Sequence, residues 1–81
     1  MQISVYSLKN TLFKDQAKSL TCNTSLGEIT VLNNHEPLIS DIKEGVIKII
    51  DKDEKLKYIP VKEGFIEINS NNEIRCMVEE R

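Results

Sequence analysis

Few side chains in this sequence have the types and spacing that bond-making chemistry needs. A nucleophilic centre asks for a Cys or Ser beside a base that a third group orients, and the single histidine is His35, with Cys22 and Cys76 both distant in sequence. A metal centre asks for three or four ligands at short spacing, and neither a Cys-x-x-Cys nor a His-x-x-x-His arrangement occurs. Gly27, Gly45 and Gly64 stand apart from one another, so no glycine-rich loop is available to cradle a phosphate. The expectation is a protein without a catalytic residue, cofactor or metal. A small enzyme pairing His35 with Cys22 or Cys76 remains the rival that a structure can test.

The elements that would carry these residues are strands. Val, Ile and Thr are abundant, apolar residues alternate with polar ones over short stretches, and no long segment shows three-four helical spacing. Ile3 and Val5 share one face of a first strand, and Ile29 and Val31 share one face of another. Gly45 to Ile50 reads as a strand buried on both sides. Lys57 to Val61, Phe65 to Asn69 and Ile74 to Val78 continue the series at hairpin spacings. Asp51 to Lys55 is a polar connection, and Ser70-Asn71-Asn72 tolerates left-handed backbone angles. The expected fold is all-β: a two-layer antiparallel β-sandwich of about ten short strands, forming one domain over residues 1–81. Phe13 and Phe65 are core candidates, Cys22 and Cys76 small packed residues, and Lys52 to Lys57 a solvated hairpin tip.

Composition bounds the partners. Eleven basic and thirteen acidic residues leave a net charge of -2 with no Lys/Arg cluster, which argues against nucleic acid and anionic membranes. The start, Met1 to Val5, shows no basic segment followed by an apolar one, and no apolar run approaches a membrane span. Two thiols in a chain without an export signal are expected to stay reduced.

The informative stretch runs from Leu26 to Ile39. Gly27 permits an unusual backbone angle, Asn33-Asn34 reverses the chain, and Pro37 fixes it before another apolar pair. This stretch resembles the signature of the ATP synthase epsilon family, in which a Gly-Glu-Leu strand leads into a Gly-His-x-Pro-Leu-Leu turn. The resemblance covers nearly the whole chain. Leu12-Phe13 matches the family's early apolar-Phe pair, Ile42-Lys43-Glu44-Gly45 its Leu-x-Pro-Gly turn, and Gly64 to Ile68 its Gly-Gly-Phe-x-Glu-Val strand. The departures are Asn33 and Asn34 for the proline and glycine before the histidine, Thr30 for a glycine, Glu44 for the turn proline, and Glu63 for the first glycine of the pair. Asn is the best non-glycine residue for a positive backbone angle, so Asn34 fits.

What the resemblance implies is a non-catalytic central-stalk subunit of a proton-translocating ATP synthase, linking the gamma subunit to the c-ring and coupling rotation to ATP synthesis. It places His35, Ser7 and Ser40 on the face toward gamma, and Glu28 toward the polar loops of the c-ring. The catalytic alpha and beta subunits would be reached indirectly. The implied location is peripheral, on the cytoplasmic face of a bacterial inner membrane, without insertion. Family members usually continue into a helical hairpin that restrains hydrolysis and in some binds ATP. For these 81 residues the expectation is neither. The alternative reading is a free-standing β-sandwich module with an unrelated protein partner.

Overall fold

In the computed structural model, which describes residues 1–81, the chain forms seven strands and no helix. They are β1 (Gln2–Tyr6), β2 (Thr11–Thr24), β3 (Gly27–Leu32), β4 (Leu38–Ile42), β5 (Gly45–Asp51), β6 (Leu56–Ile68) and β7 (Glu73–Glu80). Hydrogen bonding runs β1-β7-β6-β5-β2-β3, with β4 on the free side of β6 and β1 closing back onto β2.

This continuous sheet folds into two layers because β2 and β6 each serve both. The first half of β2 pairs with β1 and the second with β3 and β5. The first half of β6 pairs with β5 and the second with β4 and β7. One layer is therefore β3, β2, β5 and β6, and the other is β4, β6, β7, β1 and β2.

Each crossing strand bends at a bulge. The register slips between Ala17 and Ser19 in β2 and between Val61 and Glu63 in β6, leaving Lys18 and Lys62 as the extra residues. A bulge bends its strand and adds twist, which is how a strand turns from one layer into the next. The chain has seven strands rather than the expected ten; counting each half of β2 and β6 separately gives nine segments, so most of the excess comes from reading two long bent strands as several short ones. Lys57–Val61 and Phe65–Asn69 are accordingly not a hairpin; all but Asn69 belong to β6.

The bulge also sets which residues face inward. In β6 the buried residues are Ile59 and Val61 before Lys62, then Ile66 and Ile68 after it. That phase change turns Phe65 outward, where it is 56% exposed rather than in the core. Phe13 lies half-buried against the core. β5 also departs from expectation: Ile47 and Ile49 are buried, but Val46 and Lys48 face solvent, so it is covered on one side only. The core comprises 17 residues, with Ile3, Leu20, Ile47, Ile49 and Ile66 fully enclosed. Cys22 and Cys76 are buried free thiols within it.

All pairings are antiparallel except β1 with β7, which run parallel side by side. Both of these strands start at one end of the sandwich and finish at the other. The starting end gathers Met1, the Asn33–Asn34 turn and the Ser70–Asn72 turn, joined by Asn34 N–H donating to Asn72 Oδ1 at 2.7 Å and Asn72 Nδ2 donating to Asn33 Oδ1 at 2.8 Å. Asn34 has φ 60°, the left-handed angle expected of it. The finishing end gathers the Ser7–Asn10 loop, the β2–β3 tip at Ser25–Leu26, the β4–β5 turn and the β6 bulge.

Candidate functional site

The Cys–His pairing does not form. His35 is exposed in the β3–β4 turn, and its Nδ1 meets the Glu36 carbonyl at 2.7 Å; no hydrogen bond joins it to a thiol. Both sulfurs are in the core, where loss of hydration disfavours the thiolate. Burial pushes Cys22 up to about 11 and raises Cys76 as well. Thiols held protonated in this way are poor nucleophiles.

The residues named from the sequence do not form one cluster. Ser7 lies at the end that carries the β2–β3 tip, and Glu28, second residue of β3, is exposed at that same end. His35 is at the opposite end, roughly 17 Å away by the five-residue length of β1. Ser40 lies between them in β4, opposite Ile66, with Oγ donating to the Asp41 carbonyl at 3.2 Å. Ser7, Ser40 and His35 all adjoin the layer of β4, β6, β7 and β1, so they are spread along one layer rather than gathered at a point.

The sequence reading passed over the surface around them. By register, Tyr6, Met77, Phe65 and Asp41 form a row across the outer face of that layer. Phe65 and Met77 lie exposed and Tyr6 is half-buried, with exposed Ile39 close by on β4. At one end the row opens into a groove of about 500 Å³ lined by Leu8, Ile42, Lys43, Gly64, Phe65 and Met77. The other layer carries Leu32, Ile50 and Leu56 in register through Ser19. Exposed apolar side chains in contiguous rows mark surfaces that meet another protein. The signal was present in the phase change at Lys62, which puts Phe65 on the parity opposite to Ile66.

Two carboxylates organise the loops at the groove end. Asp41 Oδ1 accepts from Ser25 Oγ at 2.8 Å and Ser25 N–H at 3.2 Å, tying the β2–β3 tip to β4. Glu80 Oε2 accepts from Ser7 Oγ at 2.7 Å and Asn10 Nδ2 at 2.9 Å, tying the β1–β2 loop to β7. The serine donors hold Asp41 below the ordinary carboxylate range, and Asn10 followed by Ser7 does the same for Glu80. No arrangement here moves a proton or activates a nucleophile. What the geometry offers is a stiff body with outward-facing apolar rows and fixed loops.

Comparison with known proteins gives these surfaces a context. Residues 1–80 match the family of the ATP synthase delta/epsilon chain β-sandwich domain. The chain is 41% identical over 71 residues to the ATP synthase epsilon chain of Leptospira borgpetersenii, covering 88% of this chain and 55% of that one. It is 35% identical over 68 residues to the epsilon chain of Bordetella petrii, covering 84% and 48%. The chain thus spans about half the length of the curated relatives it matches. Its fold superposes with TM-score 0.89 on a chain of the Euglena gracilis mitochondrial ATP synthase OSCP/F1/c-ring structure, at 19% identity over 96% of this chain and 49% of the other. A chain of the Tetrahymena thermophila mitochondrial ATP synthase central stalk/c-ring structure gives 0.85 at 14% identity, covering 99% and 63%.

Proposed function

The chain belongs to the ATP synthase delta/epsilon chain β-sandwich family, and from that membership we propose that it is a non-catalytic central-stalk subunit of a rotary, proton-translocating ATP synthase. Its work is mechanical: it joins the gamma subunit to the c-ring so that rotation of the ring becomes rotation of the shaft and drives ATP synthesis. The catalytic alpha and beta subunits are reached only through gamma.

The observation that carries this reading is the match over residues 1–80, on a body whose outer rows are apolar and whose loops are fixed at both ends. Gamma is assigned to the layer of β4, β6, β7 and β1, with Ser7, Ser40 and His35 spaced along it. The apolar row of Tyr6, Phe65 and Met77 supplies the centre of that contact, because buried aromatic and Met side chains dominate interface cores while polar groups form the rim. The c-ring is assigned to the end that carries Glu28. The chain then works as a peripheral protein on the cytoplasmic face of a bacterial inner membrane. No helix in it is long and apolar enough to cross a membrane.

Co-purification tests the reading. The tagged chain, expressed in its own cells, brings down gamma, the catalytic subunits and the c-ring. Replacing His35 and Glu28 together by alanine weakens that recovery. Absence of every ATP synthase subunit from the unmodified chain's eluate would sink the proposal and favour a free-standing module.

A further inference from the structure

The turn that carries His35 has little support of its own. Residues 33–37 are all exposed, and none takes part in a backbone–backbone hydrogen bond. They therefore lack both core packing and a main-chain turn bond, the two devices that ordinarily fix a connection between strands. Asn34 nevertheless holds φ 60°, a left-handed angle that costs a non-glycine residue free energy unless a contact selects it.

The contact that selects it comes from the β6–β7 turn. Asn72 Oδ1 accepts from the Asn34 N–H at 2.7 Å, and Asn72 Nδ2 donates to Asn33 Oδ1 at 2.8 Å, so one carboxamide grips two consecutive residues. Asn33 Oδ1 also accepts from the Met1 amine at 3.1 Å. Asn72 is half-buried and stands on a frame fixed independently of the turn it grips. Its carbonyl accepts from Gln2 N–H at 3.2 Å, while Asn69 Oδ1 accepts from Asn71 N–H at 2.9 Å and Glu73 N–H at 3.1 Å. His35 follows Asn34 directly, so the grip on the Asn34 N–H fixes the backbone from which the imidazole projects. An exposed turn ordered in advance gives up less conformational freedom when a partner arrives.

We infer that Asn72 is a positioning residue for the gamma contact, acting through His35 by holding the β3–β4 turn in the conformation that presents the imidazole. This inference rests on the rotor reading above, which assigns His35 to gamma. It adds to that contact a residue from a different turn, 38 positions from Asn34 along the chain.

A double-mutant cycle on the assembled enzyme tests it. ATP synthase is isolated through a tag on this chain from cells carrying the unmodified protein, Asn72→Ala, His35→Ala or both changes. Gamma retained per tagged chain is measured after washes of rising salt, and amide exchange is followed in the same full-length variants purified alone. Asn72→Ala is expected to speed exchange at Asn34 at least about tenfold, leave exchange in the strands unchanged, and lower gamma retention about fivefold, as the loss of one or two hydrogen bonds would. His35→Ala should lower gamma retention similarly and the double variant no further, because a residue that acts through another adds nothing once the other is gone. Asn72→Asp keeps the acceptor for Asn34 N–H and loses the donor to Asn33, so it should keep exchange at Asn34 slow. Full gamma retention in Asn72→Ala with exchange at Asn34 accelerated overturns the inference and leaves the rotor reading standing. An Asn34 amide that stays slow in Asn72→Ala, or exchanges equally fast in Asn72→Asp, overturns it as well. Losses that multiply in the double variant also overturn it, making Asn72 a structural residue independent of His35. An unmodified chain that brings down no ATP synthase subunit removes the inference and the rotor reading together.

Discussion

Replacing Gly64 by alanine should be among the most damaging single-methyl additions this chain can receive. Gly64 sits in the second half of β6, paired with Ile42 of β4 on one side and Val78 of β7 on the other. A Cβ built there would stand 2.8 Å from the Val78 Cα and collide with the Met77 carbonyl oxygen. Both obstacles are backbone, so no rotamer change relieves them. Either β7 moves away from β6 by the better part of an ångström or the pairing near the bulge opens. Overpacking costs about 1–3 kcal/mol, and one or two weakened ladder bonds add about 1 kcal/mol each. A loss of about 3–4 kcal/mol is a large share of the roughly 4–12 kcal/mol typical for 81 residues. At about 4–8 °C per kcal/mol for a domain of this size, the melting temperature should fall by roughly 15–25 °C. Thermal unfolding followed by circular dichroism measures this, with Gly27→Ala as the control. Gly27 has φ +109° and nothing within 4 Å of its would-be Cβ, so only the left-handed backbone penalty of about 1–2 kcal/mol applies. A Gly64→Ala protein that melts within about 3 °C of the unmodified chain, or above Gly27→Ala, would refute the close approach of β6 to β7.

Three further outcomes follow from the same geometry. Because burial holds Cys22 up at about 11 and raises Cys76 too, neither thiol should react with a disulfide reagent at pH 8 until denaturant is added; rapid native-state labelling of either would contradict their placement. Asp51 accepts from the Lys55 and Asp53 N–H groups, and it, Asp41 and Glu80 are all held below their ordinary values. Their stabilisation is therefore complete above the unfolded-state carboxylate range, about pH 4–4.5, and is lost as pH falls through the lower folded-state values. The urea midpoint should be flat from pH 7 to about 5 and drop below about 4, and a midpoint that rises on acidification would be inconsistent with these contacts. At Asn34, φ 60° makes Asn34→Val cost about 1–2 kcal/mol while Asn34→Gly stays near neutral; equal melting temperatures for the two variants would show that the left-handed turn is absent.

Much of the fold is written in the alternation of side chains. Ile3 with Val5, and Ile74 with Cys76 and Val78, mark inward parities that a reader can take from the chain directly, whereas the near-continuous apolar run of β5 conceals that only Ile47 and Ile49 face inward. What the alternation hides is continuity. A hairpin and a bulge both appear as two alternating runs out of phase, and the distinguishing feature is what lies between them. Between Val61 and Ile66 stand Lys, Glu, Gly and Phe, of which only the glycine favours a turn, so one strand bending is the better reading than two strands and a loop. Gly64 was legible as a matched family position, but its cause, the backbone of β7, lies fourteen residues away at Val78 and is visible only in three dimensions. The same holds for Asp41 and Glu80. Each is one more acid in an acidic chain until Ser25 and Ser7 are found beside it.

The two bulges have a mechanical consequence for the proposed role. A sandwich whose layers meet only through side-chain packing and surface loops can shear along its core, since dispersion contacts resist sliding weakly. Here β2 passes from one layer to the other at Lys18 near one end, and β6 does so at Lys62 near the other. Both layers are therefore joined by continuous hydrogen-bonded strand at diagonally opposite corners. A load at the loop end, where the β6 bulge lies, passes from one layer to the other through β6 itself rather than through a flexible connection. The proposed role of passing torque from one partner to another needs that path to be stiff, and seven strands folded at two corners supply it.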